Sequence, residues 1–228
     1  MKINDLSAAL TERFGGKMAV SVHCGQLALT LPADELVACC QVLRDESTFR
    51  FEQLIDVCGM DYLTYGTSEW QTESATSQGF SRAVDREHAA QPSVWDKPRF
   101  AVIYQLLSLH HNHRLRLRVF VPEDPILIDS VINVWPNADW YEREVFDLFG
   151  ILFNGHPDLR RLLTDYGFIG HPFRKDFPVM GEIEMRYDAT EGRCVYEPVS
   201  IQPRTLVPKV IRKTNRYLQA EGGGDGTQ

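Results

Sequence analysis

Between Arg114 and Val121 the chain alternates without a break, with Arg114, Arg116 and Arg118 on one side and Leu115, Leu117 and Val119 on the other. A period of two marks a strand with one face on a core and one face away from it. The preceding run, Arg99–Leu109, is also strongly apolar, and the stretch between them, with His110, His111 and His113, reads as a turn. The two runs predict an antiparallel hairpin. A hairpin needs further strands or helices to bury its apolar side. With 43% hydrophobic residues in 228, the chain has the material for such a core. The three arginines repel one another on their face of the strand. They are either solvated or covered by something acidic, in this chain or in a partner.

Upstream, Ile3, Leu6, Leu10 and Phe14 recur at helical spacing, and Gly15-Gly16 ends the run. Met18–His23 and Gln26–Leu31 flank Cys24-Gly25 and predict a second hairpin. Pro32 and Asp34 open another helix, with Leu36, Val37, Cys40 and Leu43 on one face. Phe51–Asp61 alternates and predicts a strand ending near Asp61. From Thr64 to Pro98 the period is lost among Ser, Thr, Gln, Gly and charges, which reads as an insertion pinned by Trp70, Phe80 and Trp95.

Beyond the arginine strand, Asp129 is placed to cap a short helix through Trp135. A longer helix follows from Asp139 to Phe149 and stops at Gly150. Tyr141, Val145, Leu148 and Phe149 form its apolar face; Asp139, Glu142, Arg143 and Phe146 lie on the other. Arg143 and Asp147 are four apart and can pair. Phe146, among charges, needs a cover from the following loop or from a partner. Pro157 suits the first turn of a short helix through Leu163. Pro172, Pro178, Pro198, Pro203 and Pro208 then punctuate a segment biased to extended geometry. Residues 201–217 carry Arg204, Lys209, Arg212, Lys213 and Arg216 and no acid. A greasy, basic arm of this kind buries itself only against another surface. The expected division is a core domain over 1–155 with the insertion at about 64–98, signature loops and a partner-binding arm over 156–218, and a tail over 219–228.

Several classes of function are excluded. Lys plus Arg is 24 and Asp plus Glu is 31, a net charge of −7, which gives no general basis for holding nucleic acid. Apolar runs such as Phe100–Tyr104 fall far short of the ~20 residues that span a bilayer, and Met1–Leu6 has no apolar signal core. A soluble, cytosolic protein is expected, held at any membrane only through something else. The five cysteines are odd in number and contain no Cys-x-x-Cys, so neither a disulfide framework nor the usual zinc and iron–sulfur clusters are indicated. Cys39 and Cys40 read as small core residues, and the loop histidines as solvated rather than metal-bound. No phosphate-cradling glycine motif or nucleophile elbow occurs. Glu142 and Glu144 are two apart on a helix and diverge. No catalytic, cofactor-binding or metal-ligating residue is assigned.

The most distinctive stretch is Asp139–Val179. Its heart, Glu142-Arg143-Glu144-Val145-Phe146-Asp147-Leu148-Phe149-Gly150-Ile151, is followed by two Gly-His-Pro turns. The first continues from Gly155 as His156-Pro157-Asp158-Leu159-Arg160-Arg161-Leu162-Leu163. The second continues from Gly170 as His171-Pro172-Phe173-Arg174-Lys175-Asp176. Acids and bases interleave as in a polar network that fixes loops or docks a partner. In order and spacing these residues closely resemble the signature of the 30 kDa (C-type) subunit family of bacterial NADH:quinone oxidoreductase, respiratory complex I. The likeness extends through Phe51–Asp61, Phe100–Val121 and Tyr196–Pro203, and is weaker near the start.

The resemblance implies an α/β (α+β) fold with a mixed, mainly antiparallel sheet, helices packed on it and an extended C-terminal arm. It implies a non-catalytic scaffold and assembly subunit in the peripheral arm of a proton-translocating complex that passes electrons from NADH to quinone. FMN, iron–sulfur clusters and quinone would belong to other subunits. Partners would be the large quinone-site subunit (D type) and iron–sulfur subunits (B and I types), at the cytoplasmic face of the bacterial inner membrane. Docking would fall to the signature residues Glu142, Arg143, Glu144, Phe146, Asp147, Gly150, His156, Pro157, Asp158, Arg160, Arg161, His171, Pro172, Arg174, Lys175 and Asp176. The arm residues Pro198, Ile201, Pro203 and Arg204 would join them. Two other readings stand beside this one. One is the equivalent subunit of a membrane-bound hydrogenase or other donor-linked quinone oxidoreductase. The other is a free-standing acid/base enzyme using Glu142, Asp147 and His156.

Overall fold

The computed structural model describes residues 3–16, 18–63, 65, 71–72, 84–85 and 95–201. Its first element is the helix predicted from apolar spacing, α1 (Ile3–Phe14), with Leu6 and Leu10 buried one turn apart. The hairpin of β1 (Ala19–His23) and β2 (Gln26–Leu31) follows. Its turn sets Cys24 at φ 50° and Gly25 at φ 71°, the left-handed pair that suits the twist of the flanking strands. A 3-10 turn at Ala33–Glu35 leads into α2 (Leu36–Asp45). There Leu36, Cys39, Cys40 and Leu43 recur at i, i+3, i+4 and i+7 and are all buried. Both cysteines are core residues, as expected, and burial pushes the Cys39 thiol up to about 12.

Strand β3 (Gln53–Asp61) comes next, then a two-residue ladder of β4 (Gln71–Thr72) and β5 (Val84–Asp85), then the long hairpin of β6 (Phe100–Ser108) and β7 (His113–Val121). The main sheet has the order β1-β2-β7-β6-β3. It is antiparallel except for the pair β2–β7, where Leu29 lies beside Leu117 and Leu31 beside Val119. Leu115, Leu117, Val119 and Val121 are buried and join β2, α1 and α2 in one core. The mixed, mainly antiparallel sheet with helices packed on it is thus the architecture expected. Residues up to Leu63, with Asp96–Ile201, form one compact unit. Outside that unit, among the described residues, β4 pairs with β5 and Tyr65 meets Trp95 edge-on at 4.9 Å. Trp70 and Phe80 of the insertion, the arm from residue 202 onward with Pro203 and Arg204, and the tail lie outside the described residues.

Past β7 come β8 (Leu127–Asp129), α3 (Ala138–Phe149) and β9 (Leu152–Asn154), with β8 and β9 a short parallel pair. The helix expected from Asp129 to Trp135 is not formed. Asp129 ends β8, and only a turn follows, closed by the Val134 and Trp135 amides on Val131 O. The turn is held from α3, where Glu142 accepts a hydrogen bond from the Val131 amide at 2.8 Å. The short helix expected after Pro157 is absent too. Its amides are claimed by another carboxylate, described below. The hairpin of β10 (Ile183–Asp188) and β11 (Arg193–Pro198) was hidden by proline punctuation.

Helix α3 lies along β3. Asn137 Nδ2, at its start, donates to Leu54 O at 2.7 Å. At its end the Phe149 ring fills the space where a Cβ on Gly59 would sit, 2.4 Å away. Twelve helical residues at a rise of 1.5 Å make about 18 Å, and the five steps from Leu54 to Gly59 span about 17 Å. The match lets one helix brace the whole edge strand.

Candidate docking site around helix α3

Helix α3 was expected to turn its charged side outward. Instead Glu142, Arg143 and Asp147 are buried with Val145 and Leu148, while Glu144 is half-exposed. The charges are inward because loops on both sides wrap the helix and bond to it.

Asp147 is the centre of one wrap. Its carboxylate is fully shielded and accepts five hydrogen bonds. Oδ2 receives the amides of Leu162 (3.1 Å), Leu163 (2.7 Å) and Thr164 (2.8 Å). Oδ1 receives the Thr164 hydroxyl and, at 3.1 Å, Arg161 Nη1. Two of those amides, of Leu162 and Leu163, are ones a helix from Pro157 through Leu163 would have needed for its own bonds. The expected Arg143–Asp147 pair is not formed; Arg161 pairs with Asp147, and Arg160 with Asp158. Arg143 donates to the carbonyls of Arg160 (3.1 Å) and Arg161 (3.3 Å), so the two helix side chains grip one loop by its carbonyls and its amides. Burial would raise the Asp147 carboxyl, but the Thr164 hydroxyl and the three amides outweigh it and hold the group below its usual range.

Glu142, one turn earlier, is equally buried and behaves oppositely. It accepts the Ser130 hydroxyl and the Val131 amide, and no cation forms an ion pair with it among the described residues. Burial therefore raises its carboxyl, and those two hydrogen bonds only partly offset this. At neutral pH its charge is a cost to the fold. Glu142→Gln is expected to stay within about 1 kcal/mol of the parent at pH 7, read from denaturant midpoints. A loss above about 3 kcal/mol would show that the charge itself holds the turn.

The two Gly-His-Pro turns fasten the two ends of α3. Gly155 and Gly170 both take left-handed backbone, φ 79° and 90°. Each following histidine reaches back to a helix carbonyl. His156 Nδ1 accepts the Asp158 amide, so Nε2 carries the proton and donates to Asp139 O at 3.2 Å. His171 Nδ1 donates to Asp147 O at 2.8 Å. The Phe173 amide reaches Leu148 O at 3.0 Å, Arg174 Nε reaches Phe149 O at 2.6 Å, and the Gly150 amide reaches Phe146 O at 2.8 Å. The last four helix carbonyls, usually left open, are all satisfied, that of Phe146 by the capping Gly150 and the other three by one loop. That loop also covers Phe146, whose ring meets His171 edge-on at 6.3 Å. The cover expected for Phe146 thus comes from within the chain.

Burial, with Arg174 and Arg161 nearby, lowers His171 below its ordinary 6.5, against the raising effect of its bond to Asp147. The unfolded histidine takes up its proton near 6.5 and the folded one resists it. Its contribution to stability is complete above that pH and is lost as pH falls. Melting temperature should drop by a few degrees from pH 7.5 to pH 5. His171→Asn keeps a donor for Asp147 O and should flatten that slope in part. His113, also lowered by burial, sustains the remainder. An identical slope in parent and variant would count against His171.

A second ion cluster ties the loop to the sheet, joining the signature residues Lys175 and Asp176 to Asp61 and Arg99, which were not among the expected docking residues. Asp61, at the end of β3, holds Arg99 in a two-pronged pair, Nε–Oδ1 2.9 Å and Nη2–Oδ2 2.7 Å. The Lys175 amide reaches the same carboxylate at 2.8 Å, and Arg99 Nη1 reaches Asp176 at 3.1 Å. Burial works against the Asp61 charge, but Arg99 and the two amides of Lys175 and Leu63 keep the carboxyl low. Asp158 and Arg160 make an exposed pair, of a kind that adds little.

These groups spend their polar capacity on one another. Glu142 faces a turn, Asp147 a loop and His156 the first turn of α3, so the three do not converge on a substrate. Among the described residues no group of three His, Cys, Asp or Glu is placed to hold a metal, and no helix is long and apolar enough to cross a membrane. The surface around the wrap is apolar. Of seventeen large hydrophobic residues exposed among those described, nine lie between Leu163 and Ile201, with Tyr166 at 94% and Val179 at 98%. Beside them a groove of about 600 Å³ is lined by Gly59, Met60, Phe149, Phe173, Phe177 and Val179 among others.

The family described as respiratory-chain NADH dehydrogenase, 30 Kd subunit, matches residues 29–182. The C-type subunit of NADH-quinone oxidoreductase from Coxiella burnetii (strain Dugway 5J108-111) is 58% identical over 214 residues, 93% of this chain and 94% of its own. The protein of the same name from Xanthomonas oryzae pv. oryzae is 50% identical over 232 residues, covering 93% and 92%. A chain in the structure of the membrane-bound sulfane sulfur reductase, an archaeal respiratory membrane complex, superimposes with a TM-score of 0.50 at 16% identity. It covers 78% of this chain and 86% of its own, which is a likeness of fold.

Proposed function

We propose a role from the premise that this chain belongs to the respiratory-chain NADH dehydrogenase 30 kDa subunit family. It is a structural subunit of the peripheral arm of NADH:quinone oxidoreductase, supporting electron transfer from NADH to quinone. It holds no redox group of its own; FMN, iron–sulfur clusters and quinone are bound by other subunits, and the isolated chain turns nothing over. Its neighbours are the large quinone-site subunit and the iron–sulfur subunits of B and I type. The complex keeps it at the cytoplasmic face of the inner membrane.

The observation that carries this reading is the exposed apolar surface between Leu163 and Ile201, mounted on a loop system that α3 fixes from within. Permanent subunit interfaces are large and apolar at their centre. Such a surface on rigid loops, flanked by polar groups already satisfied, suits a lasting partner better than a substrate. The signature residues act mainly by setting the loops, and the apolar side chains between them make the contact. The arm residues Pro198, Ile201, Pro203 and Arg204 take part in holding the same partner.

The test is extraction of a tagged chain from its own membranes in mild detergent. Co-elution with a large iron-containing assembly that oxidises NADH with quinone is expected, and the chain purified alone should show no such activity. A colourless monomer, absent from the membrane fraction, would overturn the assignment.

A further inference from the structure

The face of the main sheet away from α1, α2 and α3 carries a column of positive charge that forms no ion pair among the described residues. Arg114, Arg116 and Arg118 occupy alternate positions of β7. Beside them in register, β6 presents Leu107, Gln105 and Ile103, and β2 presents Ala28 and Thr30 to Arg116 and Arg118. Every flanking residue is uncharged. Arg116 Nη2 donates to Gln26 Oε1 at 2.8 Å, but the Nε atoms of Arg116 and Arg118 are buried and find no acceptor. On the strands of this face the one acid is Asp56, in register with Gln105 and so two strands from Arg116, about 10 Å away by strand spacing. It accepts the Cys58 thiol at 2.9 Å.

Solvated arginines would reach out into water with every N–H hydrated. Arg116 and Arg118 instead lie half-buried along the sheet, each with one donor shielded and unused. The arrangement is local, since the chain as a whole is acidic with a net charge of −7. We infer that this column seats an acidic segment of a neighbouring subunit. Its carboxylates, spaced about 7 Å apart to match alternate strand positions, pair with the planar guanidinium forks. The inference rests on the assembly role proposed above. It adds a second interface to the apolar one.

The test uses the assembled complex. Arg116→Lys and Arg118→Lys keep the charge and install a primary amine, which a carbodiimide joins to any carboxylate in contact. Mass spectrometry then identifies the acid. A cross-link from position 116 or 118 to an Asp or Glu of another subunit is expected; cross-links only to acids of this chain, or none, overturn the inference. In parallel, the combined Arg114→Glu, Arg116→Glu and Arg118→Glu variant should enter the complex at least about tenfold less than the parent. As a purified chain it should melt within about 3 °C of it. Undiminished entry of that variant beside normal entry of the parent overturns this inference alone. Failure of the parent to enter any complex overturns the assembly role and this inference with it.

Discussion

Asp147→Asn should lower the melting temperature of the purified chain by about 6–20 °C, the largest effect of any single substitution considered. The carboxylate is fully shielded and all five of its partners are donors: three amides, a hydroxyl and a guanidinium. An asparagine presents N–H2 where one oxygen was, so at least one donor faces another donor and Arg161 loses its counter-charge. Breaking one side of a buried ion pair costs about 3–5 kcal/mol, and each kcal/mol moves the midpoint of a chain this size by about 2–4 °C. Loops 161–164 should open together, because one oxygen holds three consecutive amides. Heightened proteolysis between Arg160 and Gly170 would accompany the fall. An unchanged melting temperature would mean that the wrap is held by its apolar contacts and that Asp147 merely reports on it.

The second large effect is expected at Gly150. Its φ of 73° is left-handed, and a Cβ there would lie 2.4 Å from Arg174 Nη2 and 2.6 Å from His171 Nε2. Alanine would carry the backbone strain of about 1–2 kcal/mol and would push aside two of the groups that satisfy the helix carbonyls. A total near 3 kcal/mol, or about 6–12 °C, follows if each displaced bond is worth about 1 kcal/mol. Gly155 provides the comparison. It is left-handed too, at φ 79°, but nothing lies within 4 Å of its Cβ position. Gly155→Ala should therefore cost only the strain. Equal losses at the two sites would remove the role given to the His171–Arg174 cap.

Most elements around the site were legible because their patterns are local. The period of two in β7, the i, i+3, i+4, i+7 set of α2 and the Gly150 stop of α3 each declare themselves within a dozen residues. The errors share one cause. Asp129 and Pro157 read as helix starts because the local code favours them there, but the Val131 amide near the start of the first, and those of Leu162 and Leu163 at the end of the second, are taken by Glu142 and Asp147, from another segment. The same competition misdirected the pairing. Arg143 is the i−4 neighbour of Asp147, yet Arg161 arrives from the loop and Arg143 turns to loop carbonyls. Strands β8 and β9 are three residues each, too short for a period to show. Asp61 and Arg99 flank the insertion at opposite ends. A charged residue closing one apolar strand and another opening the next was the available signal, and it becomes meaningful only once β3 and β6 are paired.

The parallel pairing of β2 with β7 has a consequence for the order in which the molecule forms. Every other neighbour in the main sheet can pair in antiparallel fashion, but β2 must wait for a strand that ends ninety residues after it, at Val121 rather than Leu31. On a ribosome adding about 5–20 residues per second, that delay is on the order of ten seconds. Throughout it, Leu27, Leu29 and Leu31 have helices to shelter under but only β1 beside them, with the other edge of β2 open. The early segment is thus held as an unfinished half-core that only the arginine strand completes. Chaperone contact during synthesis should concentrate on that hairpin and end when β7 emerges.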